Sequence, residues 1–78
     1  MINVKNKALV EAIGSKIREL RLAKKYSQEE LSNEADVPLS QIGRIERGET
    51  NPTVSTLYVL ALALDVNLRD LVDVKIKK

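Results

Sequence analysis

Two helix-start signals, at Ser27 and Pro38, stand only 11 residues apart in the middle of the chain. The first is a capping box, S-Q-E-E, in which the Ser27 hydroxyl accepts the Glu30 backbone N–H and the Glu30 carboxylate accepts the Ser27 N–H. The second is a proline, which disfavours helical geometry at the residue before it and suits the first turn of a new helix. The spacing therefore predicts a short helix from Gln28 to about Ala35, a tight turn, and a second helix from about Leu39 to Arg47.

Three further helices are predicted from apolar stripes and caps. The first, from about Lys7 to Lys24, carries apolar residues at helical spacing. The fourth, which Thr53 can cap, shows that spacing more strongly, and the fifth is short and begins with Asn67-Leu68-Arg69-Asp70, a second capping-box-like segment. The stripe residues are Ile13, Ile17 and Leu20 in the first helix and Leu57, Leu60, Ala61 and Leu64 in the fourth. No strand pattern is comparably strong, so we expect an all-α fold with a loose tail from Val74 to Lys78.

The composition excludes several classes of protein. A chain of 78 residues allows a single domain over 1–78, with an expected core at about 9–72. It has no Cys and no His, which excludes disulfides, thiol nucleophiles and the commonest metal ligands. No remaining group forms a base-oriented nucleophile pattern, so we expect no enzyme, no cofactor and no metal site. The longest apolar run, Tyr58 to Leu64, is too short to span a membrane, and the N-terminal segment lacks a signal-peptide core. We expect a cytoplasmic protein.

Charge alone says little about function. The net charge is +2, with a basic first third, an acidic middle third and a nearly neutral last third. The sequence pI of about 9.0 is compatible with a nucleic-acid partner. A field this weak does not establish one, so the argument depends on the residue pattern.

The caps and apolar positions together resemble the phage-repressor-like (Xre-type) helix-turn-helix family over about residues 9–72. The resemblance implies a compact five-helix bundle of the lambda-repressor-like DNA-binding type, with helices 2 and 3 forming the helix-turn-helix. The matching residues are Ser27-Gln28-Glu29-Glu30-Leu31, Ala35, Val37, Ile42, Arg44-Ile45-Glu46-Arg47-Gly48, Asn51-Pro52, Leu57, Leu60-Ala61, Leu64 and Val66.

The chain departs from the family pattern at three positions. Ser32 stands where the family usually has Ala, and its small size predicts little effect. Asp36 stands where Gly usually adopts a left-handed conformation, which Asp tolerates better than most residues. Pro38 replaces a Ser or Thr that often caps helix 3, so this helix lacks a side-chain cap.

The resemblance implies a sequence-specific transcriptional regulator that binds double-stranded DNA, with helix 3 in the major groove. Base-reading positions of the family match Leu39, Ser40 and Arg44, and the outward Gly43 would allow close approach to a base or sugar. Arg44 suits guanine, whose O6 and N7 a guanidinium binds together; the alternatives are a solvated arginine and a phosphate contact. Leu39 either packs on a thymine methyl or belongs to the core. Gly43 alternatively serves tight packing against a neighbouring helix.

Phosphate contacts are expected around this surface. Gln28 lies at the start of helix 2, where backbone N–H groups and the helix dipole favour an anion; it is alternatively an exposed first-turn glutamine. Asn51 and Thr53 flank helix 4, although Thr53 is alternatively only a cap. Arg47 is a further candidate, and Gln41, at the edge of helix 3, would touch base or backbone.

Two other sets of residues are expected to have structural roles. The resemblance implies an ion pair, and the apolar residues of helix 5 indicate a dimer interface. Arg21 and Glu46 match positions that often form a partly buried ion pair, which either orients the recognition helix or simply bridges the scaffold. Helix-turn-helix proteins usually bind palindromic operators as two-fold homodimers. The expected dimer interface draws on helix 5 and the C-terminal end of helix 4, with packing within the chain as the alternative. Its residues are Leu68, Leu71, Val72 and Val74.

The sequence leaves open one other function, that of an antitoxin, and one further partner, RNA polymerase. The chain is alternatively an antitoxin, which binds a protein toxin and autoregulates its own operon. The acidic face of helix 2 is expected to point away from DNA; it is either merely solvated or meets RNA polymerase. Its residues are Glu29, Glu30 and Glu34.

Overall fold

A computed structural model describes residues 6–76 and shows five α-helices and no strand within them. This confirms the all-α class and the five-helix architecture. None of these helices is long and apolar enough to cross a membrane. The first and third helices end one residue earlier than expected, with Lys24 and Arg47 as their C-caps. The helices are α1 (Lys7–Ala23), α2 (Gln28–Ala35), α3 (Leu39–Glu46), α4 (Val54–Ala63) and α5 (Leu68–Val72).

The helix starts follow the local sequence. At α2 the Ser27 hydroxyl accepts the Glu30 N–H at 3.0 Å, and the Glu30 carboxylate accepts the Ser27 N–H at 2.8 Å. The Thr53 hydroxyl accepts the Thr56 N–H at 3.1 Å at the start of α4. Pro38 gives α3 no side-chain cap. Helix α3 nevertheless begins directly after it, because Pro38 stands at the N-cap with φ of −53° and ψ of 139°, and its carbonyl accepts the Ile42 N–H at 3.1 Å.

Left-handed residues end four of the helices. Gly48, with φ of 73°, follows α3, and Asp36, with φ of 57°, follows α2. Lys25 and Asp65 adopt the same region after α1 and α4. After α3 the Glu49 N–H donates to the Arg44 carbonyl at 2.8 Å and the Gly48 N–H to the Ile45 carbonyl at 3.1 Å. This is a Schellman motif, and it turns the chain sharply back along the helix end.

The core is filled by aliphatic side chains from all five helices. Helix α5 packs against α1 and α4, and its Leu71 is 0% exposed. This corrects the expectation that Leu71 lies in a dimer interface, because its side chain completes the core of its own chain. In the expected tail, Val74 is half-buried against the core, as is Leu68; Lys77 and Lys78 lie outside the described residues. The fully buried large side chains are Ile17, Leu31, Ile42, Ile45, Leu60 and Leu71.

Helices α1 and α3 approach closely at Gly14. A Cβ atom built on Gly14 would overlap the carbonyl oxygen of Ile45 and lie 2.9 Å from that of Glu46. The sequence gives no reason for a glycine inside a helix, where it costs about 1 kcal/mol relative to Ala. The structure supplies one, since any larger residue would push α1 away from the backbone of α3.

A buried ion pair lies next to this contact and joins the same two helices. Arg21 Nε donates to Glu46 Oε2 at 2.7 Å, and Arg21 Nη2 donates to Glu46 Oε1 at 3.0 Å. The side chains of Arg21 and Glu46 are 8% and 2% exposed. Arg21 Nη1 also donates to the Tyr26 carbonyl at 2.7 Å, and Gln28 Nε2 donates to Glu46 Oε1 at 3.1 Å. These bonds tie α1, the start of α2 and the end of α3 together.

We expect Gly14→Ala to destabilise the fold by about 1–3 kcal/mol, because the added methyl group meets rigid backbone at the α1–α3 contact. Gly43→Ala is the matched control. The nearest atoms to a Cβ at Gly43 belong to the flexible Arg47 guanidinium, so the gain in helix propensity, up to about 1 kcal/mol, should dominate. Urea unfolding measures both. Equal effects of the two substitutions would contradict the close approach at Gly14.

We expect Glu46→Gln to lower the free energy of unfolding by about 3 kcal/mol or more, because it leaves the buried Arg21 guanidinium without a countercharge. Glu49→Gln is the control, since it breaks an ion pair with Arg47 whose side chains are both more than half exposed; such pairs contribute little to stability. Chemical denaturation measures both variants. A loss below about 1 kcal/mol for Glu46→Gln would show that the buried pair does not hold the fold.

Candidate nucleic-acid interface

The outer side of α3 is open to solvent. Leu39 is 44% exposed, and Ser40 and Arg44 are exposed as well. Behind them Ile42 and Ile45 are 0% and 1% exposed and anchor the helix in the core. The structure thus places three of the four residues expected to read bases together on one accessible surface, and Leu39 is not a core residue.

Gly43, the fourth residue expected to read bases, is buried, and one side chain lies over it. The three atoms nearest to a Cβ at this position all belong to the Arg47 guanidinium, with Nη1 at 2.9 Å. The backbone of a neighbouring helix is not among them. Tight packing between helices is therefore not the reason for this glycine, in contrast to Gly14.

Arg47 itself is held by an acidic neighbour. Its Nε donates to Glu49 Oε2 at 2.8 Å and its Nη2 donates to Glu49 Oε1 at 3.2 Å. The hydrogen bond from Arg47 holds the pKa of the Glu49 carboxyl below its usual value, and the same bond raises the pKa of Arg47. This pair was not predicted from the sequence, although Gly48 between the two residues signals a chain reversal that brings them together.

The other residues expected to bind phosphate differ in their availability. Gln28 is half-buried, and its amide donates to Glu46, so it is not the free first-turn glutamine of the alternative interpretation. Thr53 uses its hydroxyl within α4, accepting the Thr56 N–H and donating to the Thr56 hydroxyl at 3.0 Å. Asn51 is exposed just before this cap, and Gln41 is half-buried on α3.

Apolar residues are also exposed outside α3, on α1, α4 and α5. Val72 on α5 is 46% exposed and is the most accessible of the residues expected in a dimer interface. Val54, Tyr58 and Leu62 follow at intervals of four along α4 and are 70%, 52% and 60% exposed. The sequence predicted the stripe of α4 that the structure buries, but not this second, exposed stripe, because a helix with so few polar residues has no polar face to mark its exposed side.

Comparison with known proteins identifies the family. The helix-turn-helix family model (HTH_3) matches residues 17–71. SinR of Bacillus subtilis, an HTH-type transcriptional regulator, is 39% identical over 64 residues, which make up 81% of this chain and 58% of SinR. The control protein C.BamHI of Bacillus amyloliquefaciens is 39% identical over 61 residues, or 77% of this chain and 75% of that protein. This chain therefore spans little more than half the length of SinR.

Solved structures agree with this assignment. The restriction-modification controller protein C.AhdI from Aeromonas hydrophila has a TM-score of 0.78 at 39% identity, covering 80% of this chain and 94% of that chain. SinR in complex with DNA has a TM-score of 0.75 at 39% identity, covering 78% of this chain and 98% of that chain. The family match includes α2, the turn and α3 in full, and the relatives are regulators rather than enzymes. This chain belongs to the helix-turn-helix family of Xre-type, phage-repressor-like transcriptional regulators.

Proposed function

We propose that this protein regulates transcription by binding a specific duplex operator with the outer side of α3 in the major groove. The observation that supports this most is the exposed set of Leu39, Ser40 and Arg44 on a helix that buried isoleucines fix from behind. In helix-turn-helix proteins the second helix of the motif enters the major groove, and its N-terminal residues contact base edges. SinR, a relative at 39% identity, is known in complex with DNA, which favours the same activity here.

Each exposed side chain suits a different base contact. The Arg44 guanidinium can donate two parallel hydrogen bonds to guanine O6 and N7. The Ser40 hydroxyl both donates and accepts, so it suits several base edges. Leu39 offers an apolar surface for a thymine methyl group. Gly43 removes the side chain that would otherwise keep the α3 backbone away from a base or sugar, provided that Arg47 moves aside.

Backbone phosphates would be held around the edge of this surface. Gln28 retains one amide N–H after its bond to Glu46, so it can reach a phosphate while staying fixed by the buried pair. Asn51 presents an exposed amide before α4 that can bind a phosphate. The Thr53 hydroxyl already accepts the Thr56 N–H, so we assign Thr53 as a helix cap rather than a phosphate ligand. Gln41 and Arg47 complete the set.

We further propose that the protein binds a palindromic operator as a homodimer. One short reading helix contacts few base pairs, and two-fold dimers of this kind place their half-sites about 34–36 Å apart. Exposed apolar side chains on α4 and α5, including Tyr58, Leu62 and Val72, offer surface for a second copy. Selection of bound sites from random duplex DNA would reveal both the operator and, through a palindrome, the symmetry.

We expect Arg44→Ala to relax the sequence preference at one base pair of each half-site, with a loss of discrimination of about 1–3 kcal/mol. The measurement is competition between the selected operator and single-base variants, because loss of a base contact is specific to one position. Arg69→Ala is the control: Arg69 is an exposed arginine on α5, which packs against α1 and α4. An unchanged base preference in Arg44→Ala would remove Arg44 from the reading surface.

A further inference from the structure

The loop after α3 places an acidic side chain beside the proposed DNA-binding surface. Gly48 reverses the chain, and the Glu49 N–H bonds to the carbonyl of Arg44 at 2.8 Å. Glu49 is therefore fixed by its backbone next to the end of the reading helix. Its carboxylate receives two hydrogen bonds from Arg47, and both side chains are more than half exposed.

This ion pair also determines where the Arg47 guanidinium lies. Leu39, Gly43 and Arg47 are four residues apart, so they share one side of α3. The guanidinium lies over Gly43, with Nη1 2.9 Å from the position of a Cβ atom there. In the free protein the arginine thus lies over the one position of α3 that lacks a side chain, which is buried.

We propose that Glu49 competes with DNA phosphate for Arg47, so that duplex binding requires Arg47 to leave Glu49 and to uncover Gly43. This inference rests on the proposed function and adds a residue that sets the affinity of the same surface. The exposed pair is weak enough to exchange, since solvent screens it on all sides. A phosphate can take the place of the carboxylate because both accept two parallel hydrogen bonds from a guanidinium.

Glu49 opposes DNA in a second way. Its carboxylate lies 2.8 Å from Arg47 Nε, so a phosphate that binds Arg47 arrives within the screening length of about 8 Å at physiological salt. The released carboxylate then repels that phosphate. Both effects lower the affinity of the wild-type chain for any duplex, and both vanish when Glu49 loses its charge.

The test is a double-mutant cycle of Glu49→Gln and Arg47→Gln. Fluorescence anisotropy would measure binding to the selected operator and to a duplex of unrelated sequence over a series of KCl concentrations. We expect Glu49→Gln to tighten binding about three- to tenfold near 0.1 M salt. The slope of log K against log salt should steepen by up to about 0.9, since the surface facing the phosphates then carries one more net positive charge. Arg47→Gln should weaken binding more in the Glu49→Gln background than in the wild type.

Glu19→Gln is the matched control. It removes the same charge from an exposed position. Glu19 is two residues from both Ile17 and Arg21, so it lies on the face of α1 opposite to the face that packs on α3. Thermal unfolding would verify that every variant is folded. If Glu49→Gln binds no tighter than Glu19→Gln, or if Arg47→Gln has the same effect in both backgrounds, the competition is refuted while the proposed function stands. If the wild type binds no duplex at all, the proposed function fails, and this inference fails with it.

Discussion

The buried pair of Arg21 and Glu46 joins α3 to α1. Burial of two charges is costly unless their hydrogen bonds are satisfied, and here the Tyr26 carbonyl and the Gln28 amide take part in the network. Among the described residues, no buried side-chain nitrogen or oxygen lacks a partner. With Gly14 bringing the α1 and α3 backbones together beside the pair, α3 has one arrangement in which its isoleucines are inside and its polar side is outside. The pair thus bridges the scaffold, and we expect it to orient the recognition helix as well.

On the proposed DNA-binding surface, one arginine is free of ion pairs among the described residues and another is held by an acidic residue. Arg44 extends freely from α3, whereas Arg47 lies folded against Glu49 and over Gly43. A chain with a net charge of +2 has little excess positive charge, so its electrostatic attraction to DNA of unrelated sequence is weak. We therefore expect its proposed DNA recognition to depend more on the fit of a few side chains to base edges than on a strong overall field.

Much of this architecture was predictable because its signals are local. The caps at Ser27 and Thr53 and the proline before α3 fix helix starts within a few residues of sequence, and the structure confirms them. Interactions between distant segments were not predictable from periodicity. Leu71 was expected in a dimer interface, but α5 packs on α1 and α4 and buries it in the core. The bond from Gln28 to Glu46 spans 18 residues, and the role of Gly14 depends on how closely a separate helix approaches.

The most direct test of the central claim is to map amide chemical shifts of the isotope-labelled protein as a selected duplex is added. The account predicts the largest changes at the backbone amides of Ser40, Gly43 and Arg44, with the Nε–H signal of Arg21 retained because its bond to Glu46 persists in the complex. Changes confined to α4 and α5, with the α3 amides unmoved, would contradict it.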